Sequence, residues 1–213
     1  FTIPNYYEGD LIFCRMELTN RGGSGVFDLI GFYDQNTETA QLVSEKYNIP
    51  SFPNAIELIQ AVDAVLIVTP TNQHFEAALS ALENGKHLFL EKPMVESSSE
   101  ALRLLEVAKD KHLHTQVGFV ERFNPAFLAA APLLQKVKII DSVRHAIFNP
   151  RGMDVSVVLD LMIHDIDICL SLIPSKIIEI KATGSAVIGQ SIDTAIAELI
   201  FENGAQARLS VSR

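Results

Sequence analysis

One predicted helix, residues 156–173, carries a group of side chains that could perform acid–base chemistry. At about 100° per residue, its polar residues fall in a stripe about 80° wide. They are Ser156, Asp160, His164, Asp167 and Ser171, and nearly all other residues of the helix are apolar, with Asp165 the exception. Polar groups in a narrow stripe on an otherwise apolar helix predict that the stripe is buried. Burying a polar group destabilises the fold unless the group is hydrogen-bonded or takes part in function. A core histidine satisfied by a neighbouring aspartate is an equally good interpretation.

Metal binding is a second chemistry that the same helix allows. An aspartate and a histidine four residues apart can share a divalent ion, so Asp160, His164 and Asp167 are candidate ligands. The sequence holds no second cluster of histidine or cysteine to complete such a site. We therefore expect no metal.

Three further motifs lie at the carboxyl ends of predicted strands: Asp34, the segment 69–74, and Glu91-Lys92-Pro93. In a parallel sheet the carboxyl ends of the strands form the ligand crevice, and an acid such as Asp34 can hold the adenosine ribose of a dinucleotide. Each motif also has an ordinary interpretation. Asp34 suits a turn, Thr71 or Asn72 suits a helix cap, and a lysine at a strand end is often only solvated.

These motifs are placed by alternating strands and helices. The predicted strands are 26–34, 51–52, 64–70, 87–93 and 115–119. Helices are predicted between them, the first capped by Thr37, a later one ended by Gly85, and the last capped by a serine of 97–99. Such alternation predicts a Rossmann-like parallel sheet, an α/β fold.

The alternation of single strands and helices ends after about Glu121. A helix over 124–134 leads to a strand over 136–148, and the helix 156–173 leads to three strands without intervening helices, 175–189, 193–201 and 205–213. Glu202-Asn203-Gly204 is a hairpin signal. We therefore predict an α+β domain with an open, mostly antiparallel sheet. The expected organisation is an atypical segment or linker over 1–25, an incomplete nucleotide-binding domain over 26–120 and a second, truncated domain over 121–213.

The segment 1–25 does not fit the alternation. LIFCRMEL, residues 11–18, predicts a strand, and only a short glycine-rich connection separates it from the strand that begins at Val26. A parallel neighbour needs a crossover of a dozen or more residues. These two strands can therefore pair only as an antiparallel hairpin, or not at all.

The bulk composition excludes several classes of protein. A formal net charge of −9 argues against binding to nucleic acid or to an anionic membrane, and 48% hydrophobic residues argue against disorder. No apolar run approaches a membrane span, and no basic start precedes an apolar stretch. Cys14 and Cys169 are far apart and show no metal spacing. We expect a cytoplasmic protein in which these two cysteines form no disulfide.

Four segments in this order carry a resemblance to a known family: IGFYDQN, IVTPTNQHFEAALSALENGKHLFLEKPM, VGFVERFNPAF and VVLDLMIHDIDICL. Over residues 26–213 the chain resembles the glucose–fructose oxidoreductase, inositol dehydrogenase and rhizopine catabolism family (Gfo/Idh/MocA). Within it, VERFNPAF, NPRG and LMIHDID are most similar to the nucleotide-sugar branch, typified by UDP-N-acetylglucosamine 3-dehydrogenase.

The resemblance implies an NAD(P)-dependent oxidoreductase that moves a hydride between a nicotinamide cofactor and a secondary hydroxyl of a sugar, cyclitol or nucleotide sugar. We expect NAD rather than NADP, because Gln35 and Asn36 follow Asp34 and no arginine or lysine is near to bind a 2′-phosphate. The resemblance also implies that Lys92 lies beside the nicotinamide and that His164, with Asp160 one turn earlier, faces the same point. The cofactor-binding residues that it implies are Asp34, Thr69, Pro70, Thr71, His74, Glu91 and Lys92. Arg122, Asn124 and Arg151 are the expected substrate contacts, and a homo-oligomer is the expected assembly of the intact parent.

The sequence departs from this family in one respect. The family begins with a strand, a GxGxxG turn and a helix whose amino end binds the pyrophosphate, and no such unit precedes Val26. Two functions therefore remain open, a dehydrogenase and a non-catalytic binding or scaffold module derived from one. A metal-dependent sugar enzyme built on Asp160, His164 and Asp167 is a distant third.

Overall fold

The computed structural model describes residues 11–17, 26–147 and 155–213. The chain divides into two units, Phe1–Gly118 and Phe119–Arg213. No helix in the described part of the chain is both long enough and apolar enough to cross a membrane.

The first unit is an α/β structure around a five-stranded sheet. Its elements are β1 (Leu11–Glu17), β2 (Val26–Tyr33), α1 (Thr37–Tyr47), α2 (Ala55–Ala61), β3 (Ala64–Ile67), α3 (Thr71–Glu83), β4 (His87–Leu90), α4 (Ser98–Asp110) and β5 (Thr115–Val117). The strand order is β2-β1-β3-β4-β5, with β3, β4 and β5 parallel. The predicted parallel sheet is thus confirmed for these three strands.

Strand β1 lies inside this sheet and runs against its neighbours. It pairs antiparallel with β2, as the short connection predicted, and also antiparallel with β3, which the sequence did not predict. Because both β2 and β3 are antiparallel to β1, they run in the same direction as each other. Strands β2, β3, β4 and β5 therefore end at one edge of the sheet.

Local signals fix the helix ends. Asn36, with an extended backbone, caps α1 by accepting from the amides of Glu38 and Thr39. The predicted cap Thr37 is wrong, since Thr37 is the first helical residue and the amide side chain before it reaches the free N–H groups. Ser97 and Glu100 form a capping box on α4, and Gly85 follows α3 with a φ of 73° that suits glycine.

The core of the first unit packs the strands against α2, α3 and α4. Its fully buried side chains include Leu58, Ile67, Leu82, Leu90 and Leu104. Burying one such side chain stabilises a fold by about 1.5–3 kcal/mol. This core holds the carboxyl ends of β3 and β4 in place.

The second unit is an α+β structure with a mixed sheet. A 3₁₀ turn (Val120–Phe123), α5 (Pro125–Ala130) and a second 3₁₀ turn (Ala131–Leu133) precede β6 (Ile139–His145). A π-helical segment (Val158–Met162) runs into α6 (Ile163–Leu172), followed by β7 (Ile177–Ser185), β8 (Thr194–Phe201) and β9 (Gln206–Ser212). The order is β6-β9-β8-β7, antiparallel except for the parallel pair β6 and β9, so the mostly antiparallel sheet is confirmed.

Three expected elements of the second unit differ from the structure. The helix predicted over 124–134 ends at Ala130 and continues as a 3₁₀ turn, and the strand predicted over 136–148 spans only Ile139–His145. The helix predicted over 156–173 is π-helical over Val158–Met162. A π turn bonds residue i to i+5, so a constant 100° per residue does not describe it. The predicted hairpin at 202–204 is present, with Gly204 at a φ of 77°.

Candidate active site

Polar side chains follow the carboxyl ends of the co-directional strands in the first unit. Asp34 follows β2, Thr69 comes two residues after β3 and Glu91 follows β4, while β5 is followed by Gly118, which has no side chain. The carboxyl edge of an open α/β sheet is where ligands bind in this architecture. The sequence motifs predicted for a cofactor are therefore at one edge of one sheet.

Asp34 is buried, with 7% of its surface exposed. Its Oδ1 accepts a hydrogen bond of 2.7 Å from the amide of Asn36, which is the turn geometry that the sequence allowed as the ordinary interpretation. A carboxylate has two oxygens and several acceptor positions. The bond to Asn36 therefore leaves Asp34 acceptor capacity for a ribose hydroxyl.

The segment after β3 presents polar groups at the start of α3. The Thr69 hydroxyl is buried and has no hydrogen-bond partner among the described residues. Helix α3 begins at Thr71 behind Pro70, and no side chain caps it. The alternative that Thr71 or Asn72 caps this helix is therefore wrong. An uncapped helix start and a buried hydroxyl suit the polar groups of a ligand.

His74 lies in the first turns of α3 and is only 1% exposed. Its Nε2 lies 2.8 Å from the carbonyl oxygen of Thr69, and its Nδ1 lies 2.9 Å from that of Pro93 and 3.2 Å from that of Met94. Both ring nitrogens therefore face the backbone. The ring of His74 thus lies between the segment after β3 and the turn after β4, and contacts the backbone of both.

The turn Glu91-Lys92-Pro93 begins directly after β4 and contains a cis peptide bond before Pro93. Oε2 of Glu91 lies 3.2 Å from the amide nitrogen of Lys92, which donates to it. A Cβ at Gly118 would stand 2.8 Å from Oε1 of Glu91. Gly118, directly after β5, thus leaves room for the Glu91 carboxylate, a role that the sequence analysis missed because it placed this glycine inside the strand predicted over 115–119.

The second unit supplies the candidate acid–base residues. His164 in α6 is 8% exposed, and Asp160 lies in the π-helical segment before it. Oδ2 of Asp160 lies 3.7 Å from Nη2 of Arg213, whose guanidinium also donates to the carbonyl of Val155 at 2.8 Å. Single π turns within helices occur frequently at functional sites.

The remaining acids of α6 are bound by arginines from other elements. Arg122 donates to Asp167 from Nε at 2.5 Å and from Nη2 at 2.8 Å. Arg144 donates to Asp165 from Nε at 2.9 Å and from Nη2 at 3.0 Å. The hydrogen bond to each aspartate, ahead of its charge, raises the pKa of each arginine, while burial opposes the rise. The predicted single polar stripe is thus divided, and Ser171 is exposed.

Glu121 extends this network beside His164. Its Oε1 lies 3.3 Å from Nη1 of Arg144, and its Oε2 accepts from Asn124 at 3.1 Å. The pKa of Glu121 is lowered, first by the bond from Asn124, then by Arg144 and by the charge of His164. Of the expected substrate contacts, Arg122 therefore binds Asp167, Asn124 binds Glu121 and caps α5, and Arg151 lies outside the described residues.

Glu121, Arg144 and Asp165 were missed by the sequence analysis. Arg144 occupies a half-buried position in β6, where half-buried and exposed residues alternate. An arginine on the inward face of an amphipathic strand needs an acid partner, and Asp165 was the one acid that the stripe excluded. Among the described residues, no group of three or more His, Cys, Asp or Glu side chains could hold a metal ion.

Comparison with known proteins agrees with this arrangement. Residues 15–119 match the family model described as "Oxidoreductase family, NAD-binding Rossmann fold", and residues 141–213 match the "GFO/IDH/MocA C-terminal domain". The chain is 35% identical over 192 residues to a UDP-N-acetylglucosamine 3-dehydrogenase of Acidithiobacillus ferrooxidans, covering 89% of this chain and 61% of that protein. It is 30% identical over 167 residues to a scyllo-inositol 2-dehydrogenase (NAD(+)) of Bacillus subtilis, covering 71% of this chain and 49% of that protein.

Solved structures show the same similarity. The crystal form P21 of the Acidithiobacillus ferrooxidans UDP-N-acetylglucosamine 3-dehydrogenase superposes with a TM-score of 0.83 at 35% identity, covering 87% of this chain and 61% of that one. A probable dehydrogenase from Thermotoga maritima gives 0.79 at 25% identity, covering 87% and 61%. The chain thus spans about half to three-fifths of the length of these relatives.

Proposed function

The chain belongs to the Gfo/Idh/MocA oxidoreductase family, and on this premise we propose that the protein is an NAD-dependent dehydrogenase acting on a secondary hydroxyl of a sugar, cyclitol or nucleotide sugar. The observation that carries the proposal is the polar edge of the first sheet, where Asp34, Thr69 and Glu91 follow three strands that run the same way. The named activities of the two curated relatives support the substrate class.

The residues at that edge fit a nicotinamide dinucleotide. The acceptor capacity of Asp34 suits a ribose diol, and the buried Thr69 hydroxyl and the uncapped start of α3 suit a polar group of the ligand. When bound, NAD would accept the hydride. We expect a preference for NAD over NADP because the Asp34 carboxylate would repel the 2′-phosphate of NADP. Gln35 and Asn36, which follow Asp34, carry no positive charge that could bind this phosphate.

The protein's own groups have proton and charge roles in this proposal. Oxidation of an alcohol removes a hydride from carbon and a proton from oxygen. His164 takes the hydroxyl proton as general base, because an imidazole titrates near neutral pH. The Lys92 ammonium stabilises the developing alkoxide, and Asp160 orients the imidazole. His164 is 8% exposed, so its ring is largely shielded from bulk water.

A second function is favoured by one specific observation. Strand β1 lies between β2 and β3 and runs against both. In a doubly wound nucleotide-binding sheet the strand order places a parallel strand there, followed by the helix that binds the diphosphate. A non-catalytic binding module built on the dehydrogenase fold is therefore the alternative.

One assay separates the two functions. The whole protein is incubated with NAD and, in turn, with UDP-N-acetylglucosamine, myo-inositol and scyllo-inositol, and NADH is followed by its absorbance. The dehydrogenase predicts substrate-dependent NADH formation with at least one of them. Binding of a nucleotide sugar or of NAD without any NADH formation on such substrates would support the binding module instead.

A further inference from the structure

The buried ring of His74 joins two turns of the first unit. Its Nε2 contacts the carbonyl oxygen of Thr69, in the segment between β3 and α3, and its Nδ1 contacts the carbonyl oxygens of Pro93 and Met94, in the turn after β4. A carbonyl oxygen only accepts hydrogen bonds. The imidazole therefore donates to one turn in either neutral tautomer and to both turns when it carries two protons.

The second of these turns carries Lys92. Pro93 is the next residue along the chain, and its carbonyl is one of those that His74 contacts. From the other side, the Glu91 carboxylate accepts from the Lys92 amide and lies against Gly118. The backbone of the Lys92 turn is thus held at its start by Glu91 and at its end by His74.

We propose that His74 is a positioning residue, which fixes the Lys92 turn to the Thr69 segment and so sets where the Lys92 side chain begins. This deepens the dehydrogenase function proposed above and rests on it for its effect on catalysis. The family resemblance implied a direct contact between His74 and the cofactor. An exposed fraction of 1% and three contacts with backbone oxygens favour action through the protein.

Replacing the His74 imidazole by a ring without nitrogens should make the segment after β3 and the turn after β4 more mobile without creating a cavity in the core. His74→Phe keeps an aromatic ring of similar size but has no N–H, so at least one of the buried carbonyl oxygens of Thr69 and Pro93 loses its donor and the polar link between the two turns is lost. His74→Gln keeps an amide N–H donor of similar reach. His145→Phe makes the same chemical change at an exposed position in β6 and serves as the control.

Amide hydrogen exchange on the folded protein tests the contact itself. In His74→Phe we expect exchange in residues 68–74 and 91–96 to accelerate about tenfold or more, with other described segments unchanged, because opening would be local. His74→Gln should restore part of the protection at one turn. Unchanged exchange at both turns, or an equal increase throughout the first unit, would overturn the proposal.

Kinetics of the whole protein test the consequence for Lys92. A displacement of a catalytic group by about 1 Å can cost about a hundredfold in rate. We expect kcat to fall roughly tenfold to a hundredfold in His74→Phe, KM for NAD to change by less than about threefold, and His74→Gln to recover part of kcat. A normal kcat in a folded His74→Phe enzyme contradicts the positioning role. If the wild type forms no NADH, the dehydrogenase proposal fails, while the exchange experiment still decides whether His74 holds the two turns.

Discussion

Asp167 accepts two hydrogen bonds from one guanidinium, from Nε of Arg122 at 2.5 Å and from Nη2 at 2.8 Å. The Asp167 side chain is 9% exposed and the Arg122 side chain 47% exposed. A bidentate pair of this kind joins the 3₁₀ turn after the first unit to α6. Arg122 is therefore, first of all, the partner of a buried acid in the helix that carries His164.

Arg122→Ala should destabilise the second unit because it leaves the buried Asp167 carboxylate without its two donors. We expect a loss of about 1–3 kcal/mol, the usual cost of leaving a buried acceptor without its donors. The loss should be smaller than for a fully buried ion pair, because solvent reaches Arg122. Urea unfolding measures it. Arg208→Ala, which removes an exposed pair with Asp141 at 3.6 Å, is the control and should cost less than about 0.5 kcal/mol. An equal loss of unfolding free energy in Arg122→Ala and Arg208→Ala would contradict a stabilising role for the Arg122–Asp167 pair.

Asp193 gives the protein an acid-sensitive loop. Its carboxylate accepts from the amides of Val187, Ile188 and Gly189, and these bonds, that of Ile188 first, lower its pKa. A depressed pKa contributes stability that is present above the ordinary value of about 3.9 and is lost as the pH falls through the folded value.

Asp193→Asn should therefore lower the urea midpoint at pH 7, and the difference from wild type should shrink as the pH falls below about 4. Asp141→Asn, at an exposed carboxyl of β6, is the control. A difference that stays constant from pH 7 to pH 3 would show that the carboxylate charge of Asp193 does not contribute to stability.

Cys169 should be a protected thiol. It is 1% exposed in the core of the second unit, and burial, with a smaller contribution from Asp165, raises its pKa from 9.0 to about 11. A rise of this size lowers the thiolate fraction at pH 8 about a hundredfold. Native protein should thus react slowly with a thiol reagent at this cysteine, and unfolded protein quickly, as mass spectrometry of labelled peptides would show. Rapid labelling of Cys169 in folded protein would contradict its burial.

The pairing of strands followed from the sequence where the signals were local. The β8–β9 hairpin, the parallel run β3-β4-β5 and the serine cap of α4 each depend on residues close together in the chain. The position of β1 between β2 and β3 did not follow from the sequence, because β3, its second neighbour in the sheet, is about fifty residues further along the chain. Local sequence limits which strands can form a hairpin, but not the order of the complete sheet.

The candidate site was predictable to a similar extent. Motif positions at strand ends placed Asp34, Thr69 and Glu91 at one edge correctly. The pairs Arg122–Asp167 and Arg144–Asp165 were not predicted, because they join distant elements, and the π-helical segment breaks the constant angle on which the polar stripe depended. The burial of His74 also depended on long-range packing, since its contacts lie in the turn after another strand.

Asp34 should set the choice of cofactor. We expect the whole protein to bind NAD more tightly than NADP. Asp34→Ala should weaken NAD binding roughly tenfold to a hundredfold, the equivalent of a charged hydrogen bond of about 1.5–3 kcal/mol, and should narrow the difference between the cofactors. Calorimetric titration measures both constants. The control is Asp28→Ala, at an exposed position on β2, the strand that Asp34 follows. Tighter binding of NADP to the wild type would refute the prediction.

His164 is proposed as the general base of the reaction, and the alternative is a histidine that only stabilises the fold. As the general base, His164 should make alcohol oxidation rise with pH as the imidazole loses its proton. Its replacement should change NAD affinity little, because α6 lies in the second unit, whereas Asp34 and Thr69 lie in the first. Asp160→Asn should have an intermediate effect on turnover, since the imidazole remains but loses an orienting charge.

Turnover per folded molecule in His164→Ala, measured beside the melting temperature, decides between the two roles. The control is His145→Ala, at an exposed position in β6. General-base catalysis predicts a loss of roughly 10²–10⁴-fold in kcat for His164→Ala with NAD affinity retained. A His164→Ala protein that melts at a lower temperature but turns over normally per folded molecule would remove His164 from the mechanism.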